Sequence, residues 1–237
     1  GCPDIGLLTQ TEMTTHARNM VRAVDIPVIA DADTGYGGPA SIARTVEEYC
    51  QAGVAAIHLE DQVQPKRCGH MAGVRLVSVQ NMVCRLTCAL EARGTSDLLI
   101  IGRTDACSTS GVDEAIRRGQ CYLDAGVDIL FTDAVKRIDD AVALGKALDG
   151  TLMISMVEGN ETARLTPSDL KQIGFAIALY PISSLLTATH ANRALLADLK
   201  QNGTTQGRED RMSTYAEFSE TVGLDRFNEL ADRFGPS

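Results

Sequence analysis

The stretch Ala56-Ile57-His58-Leu59-Glu60-Asp61-Gln62-Val63-Gln64-Pro65-Lys66-Arg67-Cys68-Gly69-His70 decides how this chain is read. Ile57 and Leu59 lie in a short apolar run that predicts a buried strand. Glu60 and Asp61 fall at the carboxyl end of that strand, and a Pro-containing loop leads on to Lys66, Arg67, Cys68, Gly69 and His70. A thiol between two cations and an imidazole is placed to be a thiolate, or to give up a proton near neutral pH.

Outward from this stretch, one cadence repeats. Short apolar runs stand at Val28-Ile29-Ala30, Leu98-Leu99-Ile100-Ile101, Ile129-Leu130-Phe131, Leu152-Met153-Ile154 and Ala176-Ile177-Ala178-Leu179. Amphipathic helical patterns run over residues 40–51, 79–93, 112–124, 137–148, 167–173 and 186–200. The phrase Ala-Gly-Val precedes two strands, at 52–54 and 125–127, as one type of helix-to-strand loop used twice. Alternation of this kind predicts βαβ units and a parallel sheet. Six strands satisfy either a doubly wound sheet or part of a (β/α)₈ barrel. The strand ends decide between them. Asp31 and Asp33, Glu60 and Asp61, Arg103 and Asp105, Asp133, Ser155 with Glu158, and Tyr180 with Ser183 all sit at strand termini. An open sheet needs such groups only at its switch point, whereas a barrel gathers every strand end on one face. The expectation is therefore an α/β (β/α)₈ TIM-type barrel over residues 1–203, lacking its first two βα units. A helical tail over 204–237 would dock on the barrel or on another subunit. Gly1-Cys2-Pro3-Asp4-Ile5-Gly6 would be the loop after a strand that is not in the chain.

The net charge of −9 argues against nucleic acid or an anionic membrane as partner. No apolar run approaches the ~18 residues that span a bilayer. Seven cysteines without a CxxC pair fit reduced thiols in a cytoplasmic compartment, and a mitochondrial matrix would look the same.

Val28-Ile29-Ala30-Asp31-Ala32-Asp33-Thr34-Gly35-Tyr36-Gly37-Gly38 ends a strand in Asp-x-Asp and a glycine-rich loop. Two carboxylates at that spacing suit a hard divalent cation such as Mg²⁺, or equally a helix cap and turn. Glu60 would lie beside them, and a cation relieves the repulsion of three acids in one cleft. A zinc site from His58, Cys68 and His70 lacks zinc-type spacing. Arg103, in Gly-Arg-Thr-Asp-Ala, could clamp a substrate carboxylate or neutralise Asp105 and the acidic cleft.

Asp-Ala-Asp-Thr-Gly-Tyr-Gly at 31–37, Glu-Asp-Gln at 60–62, Lys-Arg-Cys-Gly-His at 66–70, Gly-Arg-Thr-Asp-Ala at 102–106 and Tyr-Pro-Ile-Ser at 180–183 resemble the isocitrate lyase/phosphoenolpyruvate mutase superfamily over nearly the whole chain. The Lys-Arg-Cys-Gly-His run resembles its carbon–carbon-cleaving branch, whose members include methylisocitrate and 2,3-dimethylmalate lyases and oxaloacetate acetylhydrolase. The resemblance implies Mg²⁺, with Mn²⁺ able to replace it, held by Asp31, Asp33 and Glu60 directly or through water. It implies that Cys68, on a mobile loop, protonates the product fragment. Lys66, Arg67 and His70 would steady the developing negative charge. Asp4, Gly69, Arg103, Asp133, Ser155 and Pro181 would meet the substrate, a small di- or tricarboxylate. It further implies a homotetramer with the tail helix swapped between subunits.

Three departures narrow the substrate. After His70 the chain runs Met71-Ala72-Gly73-Val74 without a basic group, which disfavours a third carboxylate. Asp133 and Ser155 stand where many relatives have Glu and Asn. Pro181 stands where the family's oxaloacetate hydrolases place a Ser, and its ring suits a carbon substituent at C2 better than a second hydroxyl. The sequence therefore points to a Mg²⁺-dependent lyase of a 2-hydroxy dicarboxylate of 2-alkylmalate or methylisocitrate type. The alternatives are an oxaloacetate hydrolase or decarboxylase, or an inactive truncated fragment.

Overall fold

The computed structural model describes residues 1–235. Its strands are β1 (Ile29–Asp31), β2 (Ala56–Glu60), β3 (Leu99–Thr104), β4 (Ile129–Thr132), β5 (Leu152–Ser155) and β6 (Phe175–Leu179). Its helices are α1 (Gln10–Ala23), α2 (Pro39–Ala52), α3 (Val79–Arg93), α4 (Ala106–Ser110), α5 (Val112–Asp124), α6 (Ile138–Ala147), α7 (Pro167–Ile173), α8 (Ser183–Asn202), α9 (Tyr215–Thr221) and α10 (Leu224–Phe234). All six strands form one parallel sheet in the order β1-β2-β3-β4-β5-β6. That order never reverses, so the sheet has no switch point and is not doubly wound. With crossovers of one hand, the connecting helices fall on one side. The result is a six-stranded parallel half-barrel.

The packing shows the two faces. Ala30, Ile57, Leu59, Ile100, Leu130, Leu152, Ile154 and Phe175 pack with Ile42, Val46 and Tyr49 of α2, Met82 and Leu86 of α3, Tyr122 of α5 and Leu144 of α6. The strand residues between them turn the other way. Ala56, Ile101, Ile129, Phe131 and Met153 make a separate small cluster containing no helix residue, with Ile177 and Leu179 against it. Continuing that second parity toward the carboxyl ends gives His58 and Glu60, Arg103, Asp133 and Ser155. The concave face is therefore apolar at its base and charged at its mouth.

The two Ala-Gly-Val loops behave alike. Gly53 and Gly126 take φ of +81° and +95°, left-handed values that favour glycine and end α2 and α5. Helix α1 is not anticipated by the sequence reading. Its signal is present, since Thr9 and Glu12 form a capping box.

The backbone divides into two compact units, Gly1–Pro181 and the chain from Ile182 onward. The sequence reading drew this boundary at 203/204. Helix α8 groups with the tail instead, and none of its residues is buried. Within the second unit, α9 and α10 expose Tyr215, Phe218, Phe227 and Phe234. Among the described residues no helix is long and apolar enough to cross a membrane.

Candidate active site

The mouth of the half-barrel gathers charges that are buried and paired. Arg103, from β3, is 7% exposed. Its Nη2 donates to Asp105 Oδ1 at 2.9 Å and to Asp133 Oδ2 at 2.7 Å, and its Nη1 lies 3.5 Å from Glu60 Oε2. The guanidinium also sits over the Phe131 ring, 5.3 Å from its centroid. These contacts are those of the second role the sequence left open for Arg103, pairing with the acids of the cleft. Ser155 Oγ donates to the other oxygen of Asp133 at 2.6 Å, and His70 Nε2 stands 3.7 Å from it. Burial alone would raise the pKa of Asp133. Arg103, His70 and Ser155 outweigh it and hold the carboxylate well below its usual range. Burial pushes Asp105 the other way, to about 6, with Arg103 opposing and Asp133 adding to the rise.

Lys66 reaches into a second group of acids. Its Nζ is 2.7 Å from Asp4 Oδ1, 2.8 Å from Asp33 Oδ1 and 3.9 Å from Glu60 Oε1. Burial would push the ammonium down, but Glu60, Asp31 and Asp33 more than reverse this and keep it charged. Asp31 Oδ1 accepts the Asp33 N–H at 2.8 Å and faces His58 Nδ1 at 3.5 Å. His58 is pushed down by burial and stays neutral despite that neighbour. The turns after β1 and β4 hold Asp33, Tyr36 and Ala134 at φ of 47°, 59° and 55°. Non-glycine residues in that region carry strain of a kind that clusters at functional sites.

Glu60 tests whether a cation fits here. It is fully buried, and neither carboxylate oxygen has a hydrogen-bond partner. Burial drives its pKa well above the carboxylate range, with Arg103 and Lys66 opposing. A buried acid with two orphaned oxygens beside Asp31 and Asp33 is a hard-oxygen donor set, with Lys66 and Arg103 as its nearest counter-charges. Among the described residues no three His, Cys, Asp or Glu side chains converge closely enough to chelate an ion by themselves. The fit rests on the donor chemistry alone: carboxylate oxygens are the hard ligands that Mg²⁺ takes.

The thiol loop folds down onto this mouth, its residues alternating in direction. Lys66 points in and is 2% exposed, and Arg67 is exposed. Arg67 was expected to steady charge in the site; its guanidinium makes no ion pair with protein acids among the described residues. Cys68 is half-buried, its N–H donating to the Asp4 carbonyl at 3.0 Å. Burial raises the pKa of its thiol, assisted by Asp4 and Asp133 and opposed by the His70 backbone and Arg103. Of the two forms the sequence left open for Cys68, this direction favours the protonated thiol, the donor form. Gly69 is buried against Arg103, Asp105 and Asp133 with no room for a Cβ. Pro181 lies two residues beyond the end of β6 and is exposed.

Sequence reasoning missed the support beneath the site. Asp61 is fully buried and accepts four hydrogen bonds: Thr104 Oγ1 at 2.7 Å, Asp105 N–H at 3.0 Å, Arg118 Nη1 at 2.9 Å and Tyr122 Oη at 2.8 Å. Nothing in the local sequence links β2 to α5; only the sheet order does. A cavity of about 210 Å³ opens beside the acids, lined by Asp4, Gly6, Leu7, Met13, Asp31 and Asp33 among others.

A parallel half-barrel whose strand ends carry an acidic, cation-ready cleft under a cysteine loop defines an α/β enzyme of carboxylate chemistry. The chain belongs to the phosphoenolpyruvate phosphomutase family, whose profile matches residues 1–200, within the isocitrate lyase/phosphoenolpyruvate mutase superfamily. It is 43% identical to 2,3-dimethylmalate lyase of Eubacterium barkeri over 99% of this chain and 81% of that one. A probable 2-methylisocitrate lyase of Corynebacterium glutamicum is 42% identical (95% and 74% covered), and a chloroplastic carboxyvinyl-carboxyphosphonate phosphorylmutase of Arabidopsis thaliana 40% (99% and 70%). Among solved structures, oxaloacetate acetylhydrolase with 3,3-difluorooxalacetate superposes with a TM-score of 0.92 at 33% identity, covering 100% of this chain and 81% of that one. Phosphonopyruvate hydrolase with oxalate and Mg²⁺ gives 0.84 at 27% (97% and 80% covered).

Proposed function

We propose that this chain is a Mg²⁺-dependent carbon–carbon lyase that splits a 2-hydroxy dicarboxylate of the 2-alkylmalate class into a 2-oxo acid and a carboxylate. The observation that carries this is the Lys66–His70 loop, which packs Lys66 and Gly69 against the buried acids at the mouth, on either side of Cys68. Asp31, Asp33 and Glu60 would hold the cation, which supplies Lewis-acid polarisation of the substrate's oxygens when bound. Lys66 remains charged between Asp4 and Asp33 and faces the mouth with a fixed positive group. As the C2 hydroxyl gives its proton to a carboxylate of the acid cleft and C2 becomes a carbonyl, breaking C2–C3 leaves its electron pair on C3, delocalised into the attached carboxylate. Fixed cations such as Lys66 and Arg103 stabilise such charge without reorganising. The Cys68 Sγ–H then delivers a proton to C3. Gly69 lets the loop close tightly enough to exclude water at that moment.

Hydrolysis of oxaloacetate is the second reading, favoured by the close superposition on oxaloacetate acetylhydrolase. The hydrated substrate carries an extra hydroxyl, and an unpartnered buried hydroxyl costs about 1–3 kcal/mol. Pro181 has no donor to offer it. The six strands are read as an arc of an eight-stranded barrel, supported by their unreversed order and one-sided helices. The exposed aromatics of α9 and α10 support a homotetramer that covers them by exchanging the tail helix. The test is kcat/KM for 2,3-dimethylmalate, 2-methylisocitrate and oxaloacetate with Mg²⁺, in wild type and Pro181→Ser. A wild-type preference for a substituted malate, shifting toward oxaloacetate in the variant, is expected. A wild-type preference for oxaloacetate overturns the lyase assignment.

A further inference from the structure

We propose that Gln62 is the latch that keeps the thiol loop closed, a positioning residue that acts through the backbone of Arg67. Gln62 lies two residues beyond the end of β2 and is 1% exposed. Its Oε1 accepts the Arg67 N–H at 2.9 Å, and its Nε2 donates to the Arg67 carbonyl at 2.8 Å and to Asp105 Oδ2 at 3.1 Å. One side-chain amide thus satisfies both polar groups of a single loop residue, as a neighbouring strand would. The same amide ties that residue to the carboxylate that holds Arg103. Gln62 is itself fixed, since its carbonyl accepts from Arg85 Nη1 at 3.1 Å. Loop and charge cluster are therefore joined by one side chain, through the residue next to Cys68.

The chemistry leaves little choice of residue. Glu is the same size but has no N–H, and would set carboxylate oxygens against the Arg67 carbonyl and Asp105. Met fills the space and bonds neither. The latch rests on the lyase reading only in that Cys68 is the group it delivers, so its test uses no substrate.

The experiment follows iodoacetamide alkylation of Cys68 and Cys121 by mass spectrometry, in the full chain, for wild type, Gln62→Glu and Gln62→Met. Cys68 should label at least about tenfold faster in both variants, equivalent to about 1.4 kcal/mol of lost closure, with Cys121 unchanged. Hydrogen exchange at the Arg67 amide should be slow in wild type and fast in the variants. A folded variant whose Cys68 labels at the wild-type rate overturns the latch. If neither variant folds, wild type decides: an Arg67 amide that exchanges as fast as an unprotected one also overturns it. Faster Cys68 labelling in a protein that turns over no dicarboxylate would leave the latch standing and remove the lyase reading.

Discussion

Replacing Gly69 by Ala places a methyl group where the thiol loop meets the charge cluster. Its carbon would come within 2.5 Å of Asp133 Oδ2 and 3.2 Å of Arg103 Nη2, and would also collide with Asp105 Oδ1. None of these groups is free to step aside. Arg103 Nη2 holds both carboxylates, at 2.9 and 2.7 Å. Gln62 holds the second oxygen of Asp105 at 3.1 Å, and Ser155 that of Asp133 at 2.6 Å. Overpacking against groups that cannot move costs about 1–3 kcal/mol. The loop escapes by lifting off, so the cost falls on closure and not on folding. A penalty of that size lowers the closed-to-open ratio about 5- to 150-fold. The assays are steady-state turnover of 2,3-dimethylmalate with Mg²⁺, alkylation of Cys68 and a thermal melt. Expected are a kcat reduced by up to that factor, faster labelling of Cys68 and an unchanged melting temperature. Wild-type kcat together with wild-type labelling would refute the closed-loop geometry.

Cys68→Ser should lower kcat by ~10², the usual contribution of a positioned proton donor, and retention of full activity would remove the thiol from the chemistry. Because burial raises the thiol above its ordinary value of 9.0, the donor persists through neutral pH and is lost only as pH rises past the raised value. The pH profile of Cys68 alkylation should accordingly give an apparent pKa above 9, and a midpoint below it would contradict the cause given. Treatment with EDTA should silence turnover and Mg²⁺ or Mn²⁺ should restore it, whereas Asp33→Asn should abolish the rescue without unfolding the chain by circular dichroism. Tyr122→Phe removes one of the four donors to buried Asp61 and should cost about 1–3 kcal/mol in denaturant unfolding; a change within error would show that Asp61 is satisfied without it.

The strands and most of the helices were legible because each carries its own period and its own stop signal. Helix α1 was missed although Thr9 and Glu12 mark its start and Met13, Ala17, Met20 and Val21 follow at helical spacing. Asp31, Asp33, Glu60, Lys66 and Cys68 could be nominated from spacing and likeness. Their directions could not. Whether Lys66 or Arg67 turns inward depends on the path of the loop, which is set by Gln62 and Asp4 at positions 5 and 62 residues away from their partners. Asp61 escaped for the same reason: its side-chain donors lie 43 to 61 residues further along. A sum of local patterns contains no information about such pairings until the order of strands is known.

The alternation of faces along each strand has an evolutionary consequence. Ile57 and Leu59 answer to the helices, while His58 and Glu60 answer to the cleft, and the same division holds for Ile100 against Arg103 and Ile154 against Ser155. Selection for folding and selection for reactivity thus act on different letters of the same short words. A tolerance map of every substitution should show two interleaved stripes with a period of two, one read by stability and the other by turnover. A lineage can therefore rewrite the second stripe while leaving the first untouched. Mutases, hydrolases and lyases can then share one backbone, separated by a few changes at the carboxyl ends of its strands.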